Sequence, residues 1–165
     1  MHDTETIFGC RNITENFNYR QNIVETEREA NTFASELLLP QEKINEYLKC
    51  GELTIDLVKR IATDFGSSLT STAFKCVEHS LSENDLLIYY KNKKKSWFVP
   101  NGISYLSNYD TPPIGSLADE YFANGTCKES SRVIYGDMWN YEGMLYEGII
   151  GINADEVILL LSARY

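Results

Sequence analysis

After Ser82 the spacing of apolar residues in this chain changes, and that change restricts the folds open to it. Before it, apolar side chains recur at three- and four-residue intervals, the mark of amphipathic helices. Ala30, Phe33, Ala34, Leu37 and Leu38 make one such stripe within Glu25–Leu39, with Asn22 as N-cap, Glu25 three residues on, and Pro40 as the stop. A short helix over Gln41–Leu48 follows. Thr54 caps a helix carrying Leu57, Val58, Ile61, Ala62 and Phe65, which Gly66 ends; Ala73, Phe74, Val77 and Leu81 mark another after a tight turn. Beyond Ser82 come five short runs with turn residues between them: Leu86–Tyr90, Ser96–Val99, Ser131–Tyr135, Met144–Ile152 and Val157–Ser162. One further helix, Ile114–Ala123, is closed by Asn124-Gly125. The fold class this predicts is α+β: a helical N-terminal half, then an antiparallel, sheet-rich C-terminal region.

Charge and cysteine usage exclude some functions. The net charge is −9, so the surface as a whole repels phosphate backbones, which argues against DNA binding. The one charge run, Lys91–Lys95, reads as a solvated hairpin turn. Cys10, Cys50, Cys76 and Cys127 are widely and irregularly spaced with no C-x-x-C pair, which favours reduced thiols in a cytoplasm over a zinc knuckle or a disulfide framework. The first residues lack the basic and apolar segments of a signal peptide, and no stretch is apolar enough for a membrane span.

The string E-T-E-R-E-A-N-T-F-A-S-E-L-L-L-P, Glu25–Pro40, resembles the signature that follows the zinc helix of the ImmA/IrrE-type metallopeptidases. Leu39 stands where methionine is usual. The likeness continues through Asp56–Val77, which is similar to the family's helix–turn–helix region. From roughly Glu129 onward it resembles the GAF-like region of some members. It implies a peptidase-domain remnant at 1–50, a helix–turn–helix-like segment at 51–82 and a β-rich region at 83–165.

In that family two histidines of H-E-x-x-H and a glutamate from a second helix hold zinc, and the glutamate of the motif is the general base. The resemblance assigns the second-helix ligand to Glu27, which lies on the edge of the apolar stripe, whereas Glu29 points away from it. Asn31, one turn on, would orient a ligand. The plain alternative is that Glu27 is an exposed first-turn glutamate favoured by the helix dipole.

The chain contains no H-E-x-x-H, and its only histidines are His2 and His79. His2 fits equally a stub of the motif's tail or an incidental residue at a frayed end. His79 reads as a helix C-terminal histidine. The expectation is therefore a chain with no catalytic residues and Glu27 as a vacant ancestral ligand: zinc in the family, but no cofactor here.

Three functions follow. The chain is a truncated, silent homologue with a protein-binding role toward helix–turn–helix repressors of mobile elements or stress genes. Or it is a fragment of an active zinc endopeptidase that cleaves such a repressor. Or it is a non-enzymatic, transcription-associated module. The second helix of the helix–turn–helix offers only hydroxyls to base edges, which disfavours the third.

Overall fold

In the computed structural model, residues 37–49, 51–125 and 128–164 are described. Beyond the helical Leu37–Leu38, three helices come first among the described residues: α1 (Gln41–Leu48), α2 (Ile55–Phe65) and α3 (Leu69–Glu78). Thr54 caps α2 by accepting the Leu57 N–H at 3.2 Å, and Ser68 caps α3 through the Ser71 N–H at 3.1 Å. Gly66 closes α2 in the left-handed conformation, so the turn to α3 is only Gly66–Ser68. The helix-forming period ends sooner than the sequence suggests: α3 stops at Glu78, and Leu81 lies beyond it, exposed.

Five strands follow: β1 (Asp85–Lys91), β2 (Lys94–Asn101), β3 (Glu129–Tyr135), β4 (Met144–Asn153) and β5 (Glu156–Arg164). All pair antiparallel, in the order β2-β1-β5-β4-β3. The α+β expectation therefore holds. Asn92 and Lys93 both take positive φ and make a two-residue β1–β2 turn, so Lys94 and Lys95 belong to the strand and not to the turn. Between β2 and β3 lie a 3-10 turn at Ser104–Asn108 and helix α4 (Leu117–Asn124), capped by Ser116 and closed by Gly125. A second 3-10 turn, Gly136–Trp139, sits between β3 and β4.

The central strands are apolar on both faces, because both faces are covered. Along β5, Ile158 and Leu160 point to one side, and Val157, Leu159, Leu161 and Ala163 to the other. The first side, with Leu87 of β1 and Tyr146 and Ile150 of β4, packs on Ile44, Ile55, Val58, Ile61, Ala73 and Val77 of α1–α3. The second side packs on Leu106 and Trp139 of the 3-10 turns and on Leu117, Ala118 and Tyr121 of α4. The result is three layers: helices, sheet, then a mixed layer of helix and turns. Residues 38–165 form one compact unit.

Candidate functional site

Glu27, Asn31 and His2 lie outside the described residues, as does the apolar stripe of Ala30, Phe33 and Ala34. His79 is the C-cap of α3, and its Nε2 lies 3.6 Å from the Glu78 carboxylate, beyond hydrogen-bond reach. No group of three or more His, Cys, Asp or Glu able to hold a metal occurs among the described residues.

The Lys-rich segment is tied into the fold. Lys91 pairs with Glu156 at 2.9 Å, Lys95 pairs with Asp110 at 3.2 Å and also donates to the Ser107 carbonyl, and the Asn92 N–H donates to the Asp155 carbonyl at 2.7 Å. The helix pair α2–α3 keeps the order and short turn of a helix–turn–helix, but α3 faces inward. Thr72, Ala73, Lys75, Cys76 and Val77 are buried, and only Phe74 and Glu78 of its ten residues are exposed. Burial pushes the Cys76 thiol up to about 12.

The polar chemistry that sequence reasoning missed lies in the mixed layer. Glu147 projects from the middle of β4 and is fully buried. Its carboxylate accepts from Arg132 Nε at 2.9 Å and from Trp139 Nε1 at 3.2 Å, with a further bond from the Leu117 backbone N–H. Burial pushes the Glu147 carboxyl above its ordinary range; Arg132, the Leu117 N–H and Trp139 pull the other way without cancelling the effect. Arg132, opposite Glu147 in the β3–β4 register, also donates to Glu120 at 2.9 Å and to the Gly115 carbonyl at 2.5 Å. Two strands, a 3-10 turn and the start of α4 thus meet at one ion pair. A Glu within the otherwise uncharged run Met144–Ile152 was the available signal.

That ion pair anchors the β3–β4 loop. Trp139 is buried beneath it, edge-on to Tyr109. The loop's ends are tied by the Gly136 N–H donating to the Gly143 carbonyl at 2.8 Å. Gly136 and Gly143 lie against the Tyr141 ring so closely that a Cβ on either would come within 2.9 Å of it.

Residues 1–77 match the family model of the IrrE N-terminal-like domain, Peptidase_M78. Over that segment the chain is similar to the ImmA/IrrE-type family. No curated protein matches it. The ImmA/IrrE-like match spans α1, α2 and nearly all of α3, and the five-stranded sheet lies beyond its end. The family's zinc does not fit the described residues. His79 caps a helix beside a single carboxylate, and the two histidines of the sequence cannot form H-E-x-x-H.

Proposed function

We propose that this ImmA/IrrE-like chain is a catalytically silent regulator that acts in the cytoplasm by binding protein, with a helix–turn–helix repressor as its partner. The inward-facing α3 carries this reading. A helix that reads DNA must present its polar face to the major groove, and in α3 only Phe74 and Glu78 are exposed, with Leu69, Thr70 and Ser71 half-buried and no basic side chain among these five. The −9 net charge points the same way. Among the described residues no helix is long and apolar enough to cross a membrane. The β-rich region, which resembles the GAF-like part of some relatives, is the regulatory part in this reading.

Zinc hydrolysis needs a Lewis acid held by about three protein ligands and a base beside its water. Glu27 supplies one ligand, and neither histidine lies in the motif that would supply the other two and the base. The test is metal analysis of the untagged 165-residue chain, with incubation against a helix–turn–helix repressor. Expected are substoichiometric zinc, an uncut repressor, and saturable binding of the repressor. One zinc per chain, lost in Glu27→Gln, overturns the silent reading; loss of all repressor binding overturns the partner.

A second reading rests on the Glu25–Pro40 string: a piece of an active peptidase whose H-E-x-x-H helix comes from outside these residues. A chain extended upstream would then hold zinc and cut the repressor.

A further inference from the structure

The loop pinned by Trp139 forms one wall of a surface cleft. The cleft measures about 510 Å³ and is lined by Tyr105 of the first 3-10 turn and by Asp137, Asn140, Tyr141 and Glu142 of the β3–β4 loop. Its size falls among small-ligand sites, roughly 300–1,000 Å³. We propose that this cleft binds a guanidinium group, and the reading goes beyond the proposed function without resting on it.

The lining chemistry selects a cation. Asp137 and Glu142 place two carboxylates at the site, and neither is paired with a lysine or arginine among the described residues. Tyr105 and Tyr141 add two aromatic rings, which attract cations to their faces. Asn140 adds an amide carbonyl that accepts hydrogen bonds but carries no charge. The rings separate one cation from another. A planar guanidinium stacks on tyrosine while its fork of N–H groups makes two parallel bonds to a carboxylate; an ammonium makes only point contacts.

The backbone of the loop is held in place, while Asp137, Asn140 and Glu142 stand exposed on it. Trp139 is buried and donates to Glu147, the Gly136–Gly143 bond closes the loop, and both glycines pack on the Tyr141 ring. That backbone loses little freedom on binding, and the ordering cost falls on the exposed side chains alone.

The guanidinium has two sources, a free guanidino compound or an arginine side chain of a protein. Agmatine represents the first and acetyl-Gly-Arg-Gly-amide the second. Cadaverine and acetyl-Gly-Lys-Gly-amide are matched ammonium controls for attraction to an acidic chain. Each is titrated into the full chain at physiological salt, by calorimetry and by NMR.

Expected is saturable one-to-one binding of a guanidino probe, several-fold tighter than its ammonium control, with shifts centred on Tyr105 and residues 137–142. The Asp137→Asn/Glu142→Gln variant, folded by circular dichroism, should bind roughly tenfold more weakly. Agmatine binding as well as the peptide identifies a free ligand, and tighter peptide binding identifies an arginine side chain; either supports the proposal. Equal binding of ammonium and guanidino probes, an unchanged affinity in the double variant, or no saturable binding of either guanidino probe overturns it.

Discussion

The hydroxyl of Tyr146, on β4, accepts the backbone N–H of Ile55 at 2.9 Å, joining the first residue of α2 to the middle of the sheet. The two residues lie 91 positions apart. Around this bond, Arg164 stacks over the Tyr146 ring, 4.9 Å from its centre, and donates to the Leu53 carbonyl at 2.9 Å. Gly148, the next residue of β4 on the same face, leaves room for Ile55: a Cβ there would fall 2.6 Å from Ile55 Cγ1.

Tyr146→Phe keeps the ring and its stacked arginine and removes only the acceptor. Ile55 is buried, so its N–H is left without a partner, at a cost of about 1–3 kcal/mol. Gly148→Val should cost more, because it forces α2 off the strand. Urea denaturation of both variants checks the order; a valine variant as stable as the parent would contradict the close contact.

At the Arg132–Glu147 pair, removing one partner strands a buried charge. Arg132→Met should cost roughly 3 kcal/mol, the low end for such pairs, because the Arg132 side chain keeps 30% of its surface in water.

The same pair has a pH signature. Burial holds the Glu147 carboxyl above its ordinary range, so the folded chain binds this proton more tightly than the unfolded chain does. Its contribution to stability is full below the unfolded carboxyl value of about 4.3 and is lost as pH rises through the folded value. The stability of the parent minus that of Glu147→Gln should therefore fall from pH ~4 to pH ~7. Denaturant titrations across that range would refute this if the difference stayed flat or rose.

Trp139→Ala should destabilise by about 3–5 kcal/mol, since it empties a fully buried indole site. Trp139→Phe fills most of the volume but loses the donor to Glu147, and about 1 kcal/mol is expected. Thermal melts of the two variants separate packing from hydrogen bonding.

Cys76 should resist alkylation while the chain is folded. Its thiol is buried and pushed up to about 12, so little thiolate forms at pH ~8. Peptide mapping after iodoacetamide treatment should find the Cys76 peptide unmodified in buffer and modified in urea; labelling in buffer would show that α3 opens.

Local chemistry was legible in the sequence. Thr54, Gly66 and Asn124-Gly125 act on the backbone within a few residues, and each ends or begins a helix where its own side chain or φ requires. The strand runs were legible because both faces of β5 and β1 are covered, which leaves an unbroken apolar string. Expectations failed where a distant partner decides. Leu81 continues the helical spacing, but α3 ends before it, and Ile114 lies ahead of the Ser116 cap, exposed. The face α3 presents depends on a sheet that forms later in the chain. Glu147 and Arg132 acquire meaning only through the β3–β4 register, which no local pattern encodes. Glu27, Asn31 and His2 lie outside the described residues.

The apolar faces of α1–α3 close directly onto one face of the sheet, although the match to the N-terminal-like domain model ends at residue 77, inside α3. The end of that match is therefore not a point where the protein can be cut. A gene fusion or a protease that parted the chain there would uncover Val58 and Ile61 on one piece and Ile158 and Leu160 on the other. The helices and the sheet should melt as a single cooperative unit, and a lineage that replaced the sheet would have had to reshape the helices with it.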